Sequence, residues 1–231
     1  MKGLQNKQEI NFCRLSFWRA IADRFPEERS CLASFLAYHS AEVLSGVKPG
    51  NLVNIPDSIH PCGKNMFALW RRHGDSLLEG SVLHPMVMAE RKGSLLVYIY
   101  CRESLEKLLA GRRVRNFLKK AGYGDYPDCE AALVELERRM RHNDFPHEIG
   151  LFLGYPLKDV AGFLGWAKLP VSYQDAWKIY GDPRRSLELA ACHRDCRCRM
   201  AARLHRAADP CLCLRKTNHP PTVPLPWLQA G

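Results

Sequence analysis

The chain has 231 residues, of which 46% are hydrophobic and 25% are charged. This composition is typical of globular proteins and excludes a wholly disordered or fibrous chain. The formal net charge is +10, but the residues from Arg184 onward hold nine Lys or Arg against three Asp or Glu, which places +6 there and only +4 on the rest. A nucleic-acid partner is therefore expected only through the basic C-terminal tail.

The N-terminal residues are polar and lack the apolar run of a signal peptide. The most apolar stretches, 94–101 and 149–157, are much shorter than the roughly 20 residues that cross a bilayer. These features predict a cytoplasmic protein without a membrane span. In that compartment the scattered cysteines are expected to be reduced, namely Cys13, Cys31, Cys62, Cys101 and Cys129.

Helical periodicity begins the folded part, since apolar residues recur at steps of three and four in 28–44 and Gly46 stands where a helix would stop. The stretch 48–51 is typical of a turn, and a loop and a short helix at 64–72 follow. Further helices are predicted at 103–109, 114–121 and 128–141. Each of these helices is expected to bury one face.

Two β-rich runs, 85–90 and 94–100, flank the connection Arg91-Lys92-Gly93 and predict a hairpin. The second run has little polar alternation, so it is expected to be a central strand covered on both faces. Further strands are predicted at 147–153 and 176–180, with Pro156 at the start of a helix and another helix from Pro183 that fades into an Arg- and Cys-rich stretch.

These elements predict an α+β fold with a small antiparallel or mixed sheet covered by helices. Residues 1–27 are expected to form a lead-in and 28–189 a single domain. Residues 190–231 are expected to form a basic tail that is partly disordered, because prolines are frequent after residue 210.

The segment 143–156, Asn-Asp-Phe-Pro-His-Glu-Ile-Gly-Leu-Phe-Leu-Gly-Tyr-Pro, resembles the signature of an uncharacterised bacterial family, domain of unknown function 3793. The stretches 37–41, 48–52, 96–98 and 177–182 resemble the same family, so the resemblance spans about Leu32 to Leu189. It implies no activity or cofactor. The end from Cys192 onward is expected to depart from the family.

Several polar and aromatic residues lie where a buried element begins or ends, which is typical of a binding pocket. The glycines of 147–154 indicate that a ligand or another backbone comes close, and the helix after Pro156 offers free N–H groups. The alternative interpretation is that these glycines allow a tightly packed corner without a ligand. The candidate ligand-binding residues are His39, Lys48, Tyr98, His147, Glu148, Tyr155, Trp177 and Lys178.

His147 and Glu148 could work as an acid/base pair, because imidazole titrates near neutrality. Adjacent residues of a regular strand point to opposite faces, however, and this favours structural roles. His39 on an apolar helical stripe is either a pocket residue or a hydrogen-bonded core histidine.

The tail offers soft metal ligands, Cys192, Cys196, Cys198, Cys211 and Cys213, with His193, His205 and His219 nearby. Their spacing matches neither a zinc knuckle nor a ferredoxin, and the interspersed arginines favour a solvated helix. Three functions stay open: a small molecule or cofactor of unknown identity bound near the 147–156 corner, a non-catalytic protein-interaction or regulatory domain, and metal or RNA binding through the tail. Whether the protein is an enzyme stays undecided.

Overall fold

The computed structural model of the chain describes residues 21–60, 62–141 and 145–215. The strands are β1 (Gly50–Pro56), β2 (His84–Arg91), β3 (Ser94–Tyr100), β4 (Val171–Gln174) and β5 (Lys178–Tyr180). The helices are α1 (Glu28–His39), α2 (Ala41–Leu44), α3 (Met66–Leu78), α4 (Arg102–Ala110), α5 (Arg112–Lys120), α6 (Cys129–Arg141), α7 (Ile149–Phe152), α8 (Leu157–Phe163) and α9 (Arg184–Arg206), and a 3-10 helix covers Pro210–Leu214. The predicted α+β class is confirmed.

A three-stranded antiparallel sheet lies at the centre of the fold, in the order β1-β3-β2. β2 and β3 form the predicted hairpin, and Gly93 at its turn has a φ of +82°, a conformation that glycine adopts without steric cost. The sequence prediction missed β1, because the turn signal at 48–51 concealed a strand that begins at Gly50.

Helices cover both faces of this sheet, as predicted for β3. Alternate residues of β3 point to opposite sides, so Leu95, Val97 and Ile99 enter one core cluster and Tyr98 and Tyr100 enter the other. The first cluster also contains α1, α3, the end of α9 and the 3-10 helix. The second contains α4 to α8 and the first half of α9.

Helix α1 is buried on all sides rather than on one face. Eight consecutive residues are buried, from Cys31 to Tyr38. A helix that is apolar all round belongs in the interior. It ends at His39, and the predicted continuation to residue 44 is a separate short helix, α2.

The predicted strand at 147–153 is wrong, because this segment forms a turn and the short helix α7. The amide of Ile149 donates to the Pro146 carbonyl at 3.1 Å, and the amide of Gly150 donates to the His147 carbonyl at 3.3 Å. Gly154 has a φ of +75° and ends the helical turn before α8. The corner at 147–156 therefore joins two helices, and a short apolar run cannot by itself distinguish a buried strand from a buried helix.

The predicted strand at 176–180 is shorter than expected and lies outside the central sheet. Its β5 portion pairs with β4, a strand that the sequence analysis missed, in a separate two-stranded sheet. All four residues of β4 are exposed. The expectation of one sheet with four strands is therefore wrong.

Helix α9 does not fade at the Arg- and Cys-rich stretch but continues to Arg206. Leu189 and Cys196 are buried in the second core cluster, and Met200 and Leu204 in the first. The boundary expected between residues 189 and 190 thus falls inside a core helix. Residues 1–20 of the expected lead-in and residues 216–231 of the expected tail, with Cys13 and His219, lie outside the described residues.

In residues 21–60, 62–141 and 145–215, no helix combines the length and the hydrophobicity needed to cross a bilayer. Cys31, Cys101 and Cys129 are free thiols in this structure.

Candidate functional site

An aromatic stack joins the 154–156 corner to the second sheet. The rings of Tyr155 and Trp177 lie 4.6 Å apart between centroids, with 19° between their planes. Tyr155 follows the turn at Gly154, and Trp177 directly precedes β5. Such pairs contribute about 0.5 to 1.5 kcal/mol beyond the burial of their area. Two of the predicted candidates are therefore in direct contact.

Asp159 of α8 holds the Trp177 side of this stack in place and is only 2% exposed. Its Oδ2 accepts hydrogen bonds from Trp177 Nε1 at 2.9 Å and from Ser186 Oγ at 2.7 Å. Its Oδ1 accepts from the Tyr180 amide at 2.9 Å and from Lys158 Nζ at 2.6 Å. One carboxylate thus connects α8, β5 and the start of α9, and it holds the indole in one orientation.

Lys48 approaches the stack from the loop before β1 and is 5% exposed. Its Nζ lies 5.4 Å from the centroid of the Tyr155 ring and donates to Asn51 Oδ1 at 3.0 Å. Asn51 in turn donates to the His39 carbonyl at 2.7 Å, which ties this loop to the end of α1. A cation near an aromatic ring is attracted by the ring's quadrupole.

An ion pair between a buried carboxylate and a partly buried arginine lies next to this lysine. Glu42 is 1% exposed and pairs with Arg197 of α9, and Asn51 Nδ2 donates to Glu42 Oε2 at 3.4 Å. Buried charges are costly unless they are paired and hydrogen-bonded, and these groups meet that requirement. The pair connects α2 to α9 beside Lys48.

His193 of α9 completes the cluster. It is 3% exposed, and its ring centroid lies 5.8 Å from that of Trp177. Its Nε2 has no hydrogen-bond partner among the described residues. Burial, followed by the charges of Lys48, Arg197 and Arg194, lowers the pKa of His193 to about 2. The imidazole is therefore neutral at physiological pH and holds an unsatisfied nitrogen.

We call the group formed by Lys48, Tyr155, Trp177 and His193 the aromatic cluster. It combines a stacked aromatic pair, a positive charge and one unsatisfied imidazole nitrogen. The sequence prediction missed the supporting residues Glu42, Asp159 and Arg197, and it noted His193 only as a neighbour of the tail cysteines.

The profile of the family described as "Protein of unknown function (DUF3793)" matches residues 36–211. This range covers more than half of the chain and includes the whole aromatic cluster. The chain belongs to the DUF3793 family. No curated protein and no solved structure matches the chain at a significant level.

The DUF3793 match extends beyond Leu189, where the resemblance was expected to end, and continues to residue 211. Cys192 and Cys196 are buried on α9, Cys198 is exposed, and Cys213 is buried in the other core cluster. In the part of the chain that the structure describes, no three His, Cys, Asp or Glu side chains are grouped so that they could hold a metal ion. Cys192, Cys196, Cys198, Cys211 and Cys213 are thus spread over the two core clusters and the surface.

Two further candidates of the DUF3793 chain have contacts inside the core. The Tyr98 hydroxyl is fully buried and donates to the Phe152 carbonyl at 2.6 Å, which ties β3 to α7. The His39 ring packs on Phe35 with 4.3 Å between centroids.

The last three candidates lie away from the aromatic cluster. His147 and Lys178 are exposed and both lie near Phe163, with the His147 ring 4.9 Å and the Lys178 Nζ 5.7 Å from the centre of that ring. Glu148 is buried and accepts from Arg139 Nη1 at 3.1 Å. His147 and Glu148 therefore face different surroundings, although they lie in a helical turn and not in the strand from which opposite faces were expected.

An open cleft of about 340 Å³ lies between the α5–α6 loop and α6. Its lining includes Tyr123, Asp125, Tyr126, Glu135 and Arg138. A hydrogen bond from Arg138, together with one from Arg139, lowers the pKa of Glu135 to about 2. None of the residues predicted from the sequence lines this cleft.

Proposed function

We propose that this DUF3793 protein binds a small molecule or cofactor at the aromatic cluster. The observation that carries the proposal is the Nε2 atom of His193, which is buried and lacks a partner among the described residues. An unsatisfied buried polar group costs about 1 to 3 kcal/mol, and a ligand atom hydrogen-bonded to this nitrogen would remove that cost.

The charges around His193 favour a ligand that accepts a hydrogen bond. Burial first, and then the charge of the Lys48 ammonium, disfavour a protonated imidazole, and the same ammonium attracts a carboxylate or phosphate. The neutral imidazole would then donate its Nε2 proton to the ligand. The stacked rings of Tyr155 and Trp177 favour a planar group, so a planar anion fits this chemistry best.

Mass spectrometry and thermal unfolding test the proposal. We expect native spectra of the purified protein to retain a mass that is lost on denaturation, or the melting temperature to rise with one of three probes, namely benzoate, nicotinate or AMP. Tyr155→Leu and His193→Leu should each abolish the effect. Tyr173→Leu serves as the control, because Tyr173 is 50% exposed on β4. Equal binding by all variants, or neither a retained mass nor a shift, would contradict the proposal.

A second function, protein interaction, is supported by the exposed β4 strand. Val171 is 56% exposed, Tyr173 is 50% exposed, and Phe163 nearby on α8 is 45% exposed. Within the described residues β4 pairs only with β5, so its other edge can accept an added strand. A partner chain retained by the wild type and lost from Tyr173→Lys, but kept by Tyr155→Leu, would support this function instead.

A further inference from the structure

Two cysteine sulfurs from separate segments meet beside α1. The Sγ atoms of Cys31 and Cys62 lie 3.8 Å apart, although 31 positions separate the residues in the chain. Cys31 is fully buried in the first turn of α1, and Cys62 is partly exposed in the loop between β1 and α3. A disulfide bond is about 2.05 Å long, so the two sulfurs need to approach by only about 2 Å.

Local structure holds both thiols in place. Cys31 belongs to the helix that is buried on all sides. Cys62 lies in a turn in which the Gly63 amide donates to the His60 carbonyl at 2.8 Å and the His60 amide donates to the Lys64 carbonyl at 2.9 Å. This turn is closed by a bridge between Ile59 and Asn65. Because both sulfurs are positioned before any reaction, closure needs little reorganisation of the chain.

We propose that Cys31 and Cys62 form a reversible disulfide in exchange with small-molecule disulfides. The more accessible Cys62 loses its proton, and its thiolate attacks one sulfur of the small disulfide, which releases one thiolate. Cys31 then loses its proton and attacks the Cys62 sulfur, which releases the second thiolate. The protein dithiol is oxidised by two electrons, the small disulfide is reduced to two thiols, and the two protons pass to the released thiolates.

The closing step is expected to depend on pH. Burial, reinforced by the neighbouring Cys62, raises the pKa of Cys31 to about 12. The thiolate is the attacking form. While the pH is below that pKa, the rate of the second step should therefore rise about tenfold for each unit by which the pH is raised. Cys31 thus stays reduced at neutral pH until Cys62 has captured the oxidant.

Peptide mapping of the full chain tests the proposal. The reduced protein is incubated with oxidised glutathione, denatured and cut after glutamate. Cleavage at Glu42 leaves Cys31 in fragment 29–42 and Cys62 in fragment 43–79, and each fragment holds one cysteine. We expect the two fragments to be joined, with a mass two hydrogen atoms below their sum, and to separate on treatment with dithiothreitol. The yield at a fixed early time should rise by at least about tenfold from pH 7 to pH 8, because both steps need a thiolate.

Single variants distinguish the two steps. Cys31→Ser should stop at a stable glutathione adduct on fragment 43–79, and Cys62→Ser should leave fragment 29–42 unmodified. Cys129→Ser is the matched control, because Cys129 is a buried thiol whose contacts are carboxylates, and it should keep the link. The proposal is overturned if wild-type fragment 43–79 stays unmodified, keeps glutathione without closing, or joins a fragment that carries Cys211 or Cys213.

Discussion

Asp159→Asn should destabilise the protein, because the buried carboxylate accepts four hydrogen bonds. The amide keeps one acceptor oxygen, and its NH₂ group faces two of the former donors. The Ser186 hydroxyl can reverse its role and accept, whereas the Trp177 indole and the Tyr180 amide can only donate. At least one buried donor therefore loses its partner, and the charge-assisted bonds that remain become weaker. We expect the free energy of unfolding to fall by about 3 kcal/mol.

Urea unfolding followed by circular dichroism and by tryptophan fluorescence measures this loss. The fluorescence of the folded variant should also change, because the indole of Trp177 loses the acceptor that orients it. Asp182→Asn is the matched control, since Asp182 is exposed and its pair with Arg184 is screened by solvent. A loss below about 1 kcal/mol for Asp159→Asn, or an equal loss in the control, would refute the reasoning.

Three further changes test the packing and the titration. Gly50→Ala should cost about 2 kcal/mol or more in unfolding free energy, because its Cβ would lie 2.2 Å from the Tyr98 ring, whereas Gly124→Ala has open space and should change little. Tyr98→Phe should cost about 1 to 3 kcal/mol in the same assay, because the Phe152 carbonyl loses its buried donor; a neutral result would mean that water replaces it. Because His193 has a lowered pKa in the folded state, the unfolded chain takes up its proton first. The contribution of His193 to the free energy of unfolding should therefore be complete above pH 6.5. It should fall by about 1.4 kcal/mol per pH unit as the pH falls from 6.5 toward 2. The slope of unfolding free energy between pH 5 and 6 should be shallower by this amount in His193→Leu, and equal slopes would contradict the assignment.

Local patterns allowed the hairpin and the middle helices to be predicted. The run from Ser94 to Tyr100 is apolar throughout, and a glycine at the preceding turn separates it from a second β-rich run. The prediction of a strand at 147–153 was wrong because a short apolar run of this length fits a buried strand and a buried helix equally well. The turn from Pro146 to Gly150 decides between them, and it depends on packing against α8, where Val160 lies 3.0 Å from the position of a Cβ at Gly150.

The aromatic cluster could be predicted only in part. Tyr155 stood out because it is a large aromatic residue between Gly154 and Pro156, and Trp177 because it is a large aromatic residue at the start of a predicted strand. Asp159 and Glu42 gave no such signal, because a buried carboxylate is recognised by its partners, and these come from segments far away in the chain. His193 lay in a stretch whose cysteines and arginines suggested a solvated tail, whereas the helix they occupy is part of the core.

The contact between α1 and the 3-10 helix has a consequence for synthesis on the ribosome. Part of the buried surface of α1 is covered by Cys213 and Leu214, about 175 residues later in the chain, and the Leu214 carbonyl accepts a hydrogen bond from Ser81. At 5 to 20 residues per second, this surface waits roughly 9 to 35 s for its partner to be translated. During that interval a nascent-chain-binding chaperone would find an apolar helix exposed, and native packing of α1 can be completed only after the chain has passed residue 214.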